Sequence, residues 1–201
     1  MEHYEQAARI VAFSKRMYEE RLVSATSGNL SERIPGTDDV FAITPSSEDY
    51  LTMTPDRIVV MKTDGTLIYC PEGAKPSSEW RLHAAIYRDR KDVNAVVHTH
   101  SPYATAFATV GQSIPPALAE MLPWLGGGVP LAKYGPLGTW DLADNTSAAI
   151  GETGVSALMA NHGAVAVAAN MKTAYARAAY IEDAARVIVI AKGIGELVIP
   201  E

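Results

Sequence analysis

The sequence predicts a single α/β domain that covers residues 1–201. Short runs of apolar and β-branched residues alternate with longer segments in which apolar residues recur at helical spacing. The connections between these segments are short, and no repeat, linker or low-complexity segment separates them. A chain of 201 residues is long enough for one domain with a sizeable core and too short for two generous ones.

The first half of the chain predicts two helices that flank a group of strands. A helical stripe of apolar and small residues covers 5–23, and Gly28-Asn29 then supplies a turn. Asp64-Gly65 is typical of the turn of a β-hairpin. Pro76 and Ser77 precede a helical pattern. The predicted elements are two short strands, a hairpin and a helix, at residues 29–34, 39–45, 57–70 and 76–90.

The second half predicts a further series of mixed elements. Ser101 at the cap, Pro102 in the first turn and Gly111 beyond the end define a short helix. The turn Asn161-His162-Gly163 separates two strand-like runs of small residues. The other elements are two strands, a helix and a long closing helix, at residues 94–100, 129–135, 139–152 and 171–193.

Composition and charge exclude several classes of function. A net charge of −6 without a Lys/Arg cluster argues against a nucleic-acid-binding surface. The single cysteine, Cys70, excludes a disulfide framework and suits a reducing compartment. The N-terminus carries early acidic residues, so we expect no signal peptide, and no apolar run reaches the length of a membrane span. These observations predict a soluble cytoplasmic protein.

Three of the five histidines lie where a fold places functional side chains. His98 and His100 end a predicted strand, whose alternation sends both imidazoles to one face about 7 Å apart. His162 stands in a predicted turn, where Asn and Gly permit unusual backbone angles. Three imidazoles are a common ligand set for a catalytic zinc ion. Each histidine taken alone is better explained as a solvated or hydrogen-bonded polar residue, so a metal site depends on their combination.

Glu79 is the candidate acidic partner of these histidines. A capping box does not account for it, because residues 80 and 81 are Trp80 and Arg81. One interpretation is a first-turn acid that faces the helix dipole. The other is a general base, or a carboxylate that reaches the metal. His83 lies four residues on, so it shares the helix face of Glu79 and could orient it.

Three loops combine small hydroxyls and turn glycines without cations. They are TSGN, TPSS and PSS, at residues 26–29, 44–47 and 76–78. Hydroxyls, backbone N–H groups and a helix N-terminus can bind phosphate without Arg or Lys. Each loop alone is equally consistent with turn and cap formation, so a phosphate site depends on their combination with the histidines.

Taken in order, these motifs resemble those of a known family. T-x-G-N-x-S, ITPSS, KPSSEWRLHAAIYR, VVHTHSPYATA and NHGAV follow one another along the chain. They resemble the class II aldolase/adducin family and, within it, the branch of the fuculose-1-phosphate aldolases. The resemblance extends from residue 5 to about residue 192. Adducin-like members without the metal histidines are a poor match, since this chain retains His98, His100, His162 and Glu79.

The resemblance implies a fold, an assembly and a metal. The fold is an α/β/α sandwich around a largely antiparallel sheet, and the assembly is a homotetramer with active sites between subunits. His98, His100 and His162 match the zinc ligands, although Mn²⁺ or Co²⁺ could replace Zn²⁺. Glu79 matches the catalytic acid/base and can also bind the resting metal. The phosphate-binding positions are Gly28, Asn29, Ser46, Ser47, Ser77 and Ser78.

The resemblance also implies a reaction, the reversible cleavage of a ketose 1-phosphate to dihydroxyacetone phosphate and an aldehyde. The ketose is fuculose 1-phosphate or a related deoxy- or methylthio-pentulose 1-phosphate. The alternatives within the family are a sugar-phosphate 4-epimerase, a phosphotetronate decarboxylase and a methylthioribulose-1-phosphate dehydratase. Two departures bear on the substrate. Ser47 replaces a glycine of the phosphate loop, and Ala119 stands where the aldolase has a proton-donating tyrosine. Glu120 and Tyr134 lie near Ala119 in sequence, but neither is assigned the role of proton donor. Because the tyrosine is missing at the aldehyde end of the site, a deoxy- or methylthio-pentulose phosphate is an expected substrate.

Overall fold

An eight-stranded sheet forms the centre of the computed structural model, which describes residues 3–200. Its strands lie in the order β4-β3-β2-β1-β5-β8-β7-β6. Every pair is antiparallel except β6 and β7. The strands are β1 (Asn29–Arg33), β2 (Val40–Ile43), β3 (Val59–Lys62), β4 (Leu67–Tyr69), β5 (Ala95–Thr99), β6 (Leu131–Ala132), β7 (Ser156–Met159) and β8 (Gly163–Ala168). The predicted, largely antiparallel sheet is confirmed.

Helices cover both faces of this sheet. α2 and α5 share one apolar core with it, while α1, α3, α4 and α6 share another. The helices are α1 (Tyr4–Glu19), α2 (Trp80–Asp89), α3 (Pro102–Thr109), α4 (Met121–Leu125), α5 (Trp140–Ile150) and α6 (Met171–Lys192). The α/β/α sandwich is therefore confirmed. Residues 1, 2 and 201, the ends of the predicted domain, lie outside the described residues.

The central strands are buried on both faces, which explains their continuous apolar runs. Val96 packs into the core beside α2 and α5, whereas Val97, the next residue, packs into the opposite core. Successive side chains of a strand point to opposite faces, so each layer of helices needs its own set of apolar residues. In the described part of the chain, no helix combines the length and apolar character required to cross a bilayer.

Most of the predicted elements are present, with shifted ends. The hairpin of β3 and β4 turns at Asp64, whose Oδ1 accepts a hydrogen bond of 2.8 Å from the N–H of Thr66. α1 ends at Glu19, earlier than predicted, because Arg21 adopts a left-handed φ of 60°. α2 begins at Trp80, later than predicted, because Pro76 pairs with Pro45 in an extended bridge. Neither α4 nor the 3₁₀ turn at Pro55–Arg57 was predicted from sequence patterns.

Candidate metal centre and adjoining cavity

Three histidines and one glutamate from separate parts of the chain meet at one end of the central strands. His98 lies in β5 and His100 just beyond its end, while His162 occupies the turn between β7 and β8. Glu79 is the residue that precedes α2. One ligand atom from each of the four residues lies within 4.8 Å of the others. The structure thus brings together all four residues predicted to surround a metal.

The nitrogen and oxygen atoms of this cluster face one another at short range. Nε2 of His98 lies 3.1 Å from Oε2 of Glu79 and 2.9 Å from Nε2 of His100. Nε2 of His162 lies 3.2 Å from Oε1 of Glu79, but these two atoms are not aligned as a hydrogen bond. Four groups with lone pairs therefore converge on a common centre.

The backbone determines which nitrogen of His98 faces that centre. Nδ1 of His98 donates a hydrogen bond of 3.0 Å to the carbonyl oxygen of Ala164 in β8. The lone pair of a neutral imidazole then lies on Nε2. A hydrogen bond from the other ring nitrogen to a carbonyl is the usual way in which proteins orient a metal-ligating histidine.

Burial and mutual proximity keep two of the histidines neutral. Burial lowers the pKa of His100 to about 3 and that of His162 to about 4, and the proximity of His98 adds to both effects. Burial alone would lower the pKa of His98, but the neighbouring Glu79 outweighs it and raises that pKa. Burial likewise opposes ionisation of Glu79, yet the contacts with His98 and His162 lower its pKa well below the usual range. Ionised carboxylate and neutral imidazole are the forms that bind metals.

The cluster fits a divalent cation. Oε1 of Glu79 and Nε2 of His162 are buried polar atoms to which residues 3–200 make no hydrogen bond. Leaving such atoms unpaired costs about 1–3 kcal/mol each, so native proteins rarely retain them without a partner. A cation bound between them would satisfy both, and three histidines with a carboxylate suit zinc.

A cavity of about 180 Å³ adjoins the cluster and contains the predicted phosphate-binding residues. Glu79 and His100 form one of its walls. The predicted residues that line it are Gly28, Asn29, Ser46, Ser47, Ser77 and Ser78. Among the described residues, the lining includes no lysine or arginine, so an anion there would be bound by hydroxyl and backbone groups.

Backbone contacts hold the three loops of the cavity together. The N–H of Ser46 donates to the carbonyl of Lys75 at 2.8 Å, and the N–H of Ser77 donates to that of Thr44 at 3.1 Å. The hydroxyl of the buried Tyr50 donates to the carbonyl of Gly28 at 2.6 Å. The loops are therefore fixed relative to one another before any ligand enters.

Sequence reasoning missed some of these contacts. Tyr50 gave no signal beyond its position three residues after Ser47, and Leu137 lines the cavity from a loop that matched no motif. His83 was expected to orient Glu79 from one turn along the helix. It contacts Asn29 instead, and the amide of Asn29 donates to Glu79 at 3.0 Å.

Comparison with known proteins identifies the family. The family model described as the class II aldolase and adducin N-terminal domain matches residues 8–189. The chain belongs to this family.

Several relatives of this class II aldolase family member have assigned activities. A 5-deoxy-D-ribulose 1-phosphate aldolase of Bacillus thuringiensis serovar kurstaki is 40% identical over 190 residues, which cover 93% of this chain and 85% of that protein. A 5-methylthioribulose-1-phosphate/5-deoxyribulose-1-phosphate aldolase of Escherichia coli O45:K1 is 40% identical over 83% of this chain and 75% of its own length. A solved L-fuculose 1-phosphate aldolase superposes with a TM-score of 0.92 at 32% identity, covering 98% of this chain and 91% of that one.

Ala119 stands at the position where the resemblance implies a proton-donating tyrosine, and Glu120 and Tyr134 lie near it in sequence. None of the three lines the cavity in the described part of the chain. Tyr134 is 64% exposed, and its ring is therefore available to solvent in a single chain.

Proposed function

We propose that this class II aldolase family member is a metal-dependent aldolase. It reversibly cleaves a ketose 1-phosphate to dihydroxyacetone phosphate and an aldehyde. The observation that carries the proposal is the convergence of His98, His100, His162 and Glu79 beside a cavity lined by hydroxyl groups. Relatives named as aldolases at 40% identity favour cleavage of a carbon–carbon bond over epimerisation, decarboxylation or dehydration.

The three histidines would hold the metal, and Glu79 would be a further ligand in the resting enzyme. Zinc suits this ligand set, although Mn²⁺ or Co²⁺ could also occupy it. When bound, the cation would supply Lewis-acid stabilisation of negative charge on the substrate oxygens.

The protein groups bind the substrate and move the proton. Gly28, Asn29, Ser46, Ser47, Ser77 and Ser78 form the site for the phosphate, so binding energy remote from the reacting carbons orients them. Breaking the C3–C4 bond leaves its electron pair on the dihydroxyacetone phosphate fragment. The C4 hydroxyl releases one proton as it becomes the aldehyde carbonyl, and Glu79 takes up one proton and delivers it to C3, so that no net proton is consumed. In the reverse direction Glu79 removes the proton from C3.

The substrate is a 5-deoxy- or 5-methylthio-pentulose 1-phosphate. The relatives named for these sugars and the alanine at position 119 both support this over fuculose 1-phosphate. The alanine at position 119 can neither donate a proton nor bind the hydroxyl of a hydroxylated aldehyde. A short apolar aldehyde makes fewer demands at that end of the site.

Incubation of the zinc-loaded protein with dihydroxyacetone phosphate and a panel of aldehydes tests the function. Cleavage between C3 and C4 of a 5-deoxypentulose 1-phosphate releases acetaldehyde, whereas a 6-deoxyhexulose 1-phosphate releases 2-hydroxypropanal. We expect ketose phosphate to form fastest with acetaldehyde or its methylthio derivative. Failure of every aldehyde, together with no exchange of the dihydroxyacetone phosphate proton with deuterated water, would defeat the proposal.

Residues 1–201 act as one domain, and four chains assemble into a homotetramer with sites between subunits. Exposed apolar side chains such as Leu122 and Ile190, at 72% and 55% exposure, are available to such contacts. Light scattering should report four times 21.5 kDa, and an active monomer would contradict shared sites.

The single cysteine, Cys70, accords with a reducing cytoplasmic location.

A further inference from the structure

Strand β1 and helix α2 run side by side with their polar residues in register. Two residues of a strand advance about 6.8 Å and four residues of a helix about 6 Å, so two such series stay aligned. Every second residue of β1 therefore meets every fourth residue of a series that begins at Glu79, just before α2, and continues along the helix. The three matched pairs are Asn29 with Glu79, Ser31 with His83, and Arg33 with Tyr87.

A continuous chain of hydrogen bonds runs beneath the metal cluster from Glu79 through Asn29, His83 and Ser31 to Tyr87. Asn29 Nδ2 lies 3.0 Å from Glu79 Oε2, and Asn29 Oδ1 makes a short hydrogen bond with His83 Nε2. His83 Nδ1 lies 2.6 Å from Ser31 Oγ, which is 2.7 Å from the hydroxyl of Tyr87. His83, Ser31 and Tyr87 are all 0% exposed. Bulk water therefore does not reach these three members of the chain.

The chemistry of its ends gives this chain a single direction. An ionised carboxylate only accepts hydrogen bonds, so Asn29 must turn its NH₂ group toward Glu79 and its oxygen toward His83. His83 then donates from Nε2, and its Nδ1 is the acceptor for the hydroxyl of Ser31. Tyr87 in turn donates to Ser31. Burial lowers the pKa of His83 to about 3, in agreement with a neutral imidazole.

We propose that His83 is a positioning residue for the aldolase reaction. Its Nε2–H holds the amide of Asn29 with the NH₂ group toward Glu79, and this hydrogen bond holds the Glu79 carboxylate toward the histidines. Without that donor, the Asn29 amide is free to rotate by half a turn and to present its oxygen to the carboxylate. The proposal rests on the proposed function, because positioning matters only if Glu79 moves the proton.

Two substitutions at His83 separate positioning from packing. In His83→Gln, the side-chain NH₂ group can replace the Nε2–H donor, whereas His83→Leu fills the space without any donor. Groups that orient such ligands typically contribute about 10–100-fold to activity or metal affinity. We expect His83→Leu to lower kcat by that factor with little change in KM, and His83→Gln to restore most of the loss. Wild-type kcat in folded His83→Leu, or equal losses in both variants, would overturn the proposal.

A double-mutant cycle with Asn29→Ala tests whether the effect passes through Asn29. If His83 acts only on that amide, His83→Leu should cost little additional kcat once Asn29 is alanine. Residues that act as a unit are non-additive, while independent residues add. Fully additive losses would mean that His83 acts on Glu79 by another route, and would overturn the proposed chain.

A measurement on the wild-type protein separates this inference from the function itself. ¹⁵N spectra of the imidazole rings, assigned with His83→Gln, should show a protonated Nε2 and an unprotonated Nδ1 at His83. The opposite tautomer, or a doubly protonated ring at neutral pH, would overturn the direction of the chain even if His83→Leu failed to fold. An inactive wild type with the expected tautomer would defeat the aldolase assignment and leave the hydrogen-bond chain intact.

Discussion

Gly28 lines the cavity beside the metal cluster at a point where a side chain would not fit. Its φ is +75°, and an added Cβ would lie 2.6 Å from Cγ1 of Val23 and 2.8 Å from the carbonyl oxygen of His98. A left-handed conformation costs an L-residue about 1–2 kcal/mol. Overpacking adds about 1–3 kcal/mol. We therefore expect Gly28→Ala to lower the free energy of unfolding by about 2–5 kcal/mol, a large part of the 5–15 kcal/mol typical of proteins.

Gly36 provides a matched control. It has a similar φ of +78°, but an added Cβ would meet nothing within 4 Å. Gly36→Ala should therefore lose only the conformational part, about 1–2 kcal/mol. Urea denaturation of both metal-free variants measures the two free energies of unfolding on one scale. If Gly28→Ala were no less stable than Gly36→Ala, the close approach of residue 28 to His98 would not constrain the fold.

Four further predictions concern the metal, the proton and the loops. Glu79→Gln preserves size but removes basicity, so kcat and the exchange of the dihydroxyacetone phosphate proton should fall by about 10²–10⁴-fold while bound zinc, measured by elemental analysis, is retained. Near-normal exchange would leave Glu79 without a role in proton transfer. Removal of zinc by a chelator should lower Tm in calorimetry, because a ligand at 1,000 times its Kd stabilises the native state by about 4 kcal/mol; an unchanged Tm would argue against a bound cation. Ser47 has a left-handed φ of 61°, so Ser47→Gly should raise the free energy of unfolding by about 1 kcal/mol in urea titrations. Tyr50→Phe removes the hydrogen bond to Gly28 and should raise KM for the ketose phosphate more than it lowers kcat, and a reversed pattern in steady-state kinetics would contradict a role in holding the phosphate loop.

The strands and the long helices could be predicted because their patterns depend on local geometry. β5, for example, carries apolar residues on both faces and contains His98, with His100 just beyond its end. The end of α1 could not be predicted in this way, since Leu22 and Val23 continue the apolar stripe and are both buried at 5% exposure, yet lie outside the helix. The chain folds back there, so burial and helical periodicity no longer coincide.

The members of the candidate site were easier to predict than their contacts. The motifs around His98 and Glu79 named the residues of the cluster, and the fold brings them together. The route from His83 to Glu79 through Asn29 depends on the alignment of β1 with α2, which sequence spacing within α2 does not reveal. Leu137 was missed for a similar reason, because a loop distant in sequence contributes it to the cavity.

The order of the strands has a consequence for the synthesis of this protein. β5 pairs with β1, from near the beginning of the chain, and with β8, from near its end, and the register places Asn29 and Val165 on either side of His98. A nascent chain therefore carries Glu79 and His98 well before His162 and the partner strand that orients His98 have left the ribosome. We expect the cation to bind only after translation is nearly complete, because the full set of ligands forms only then.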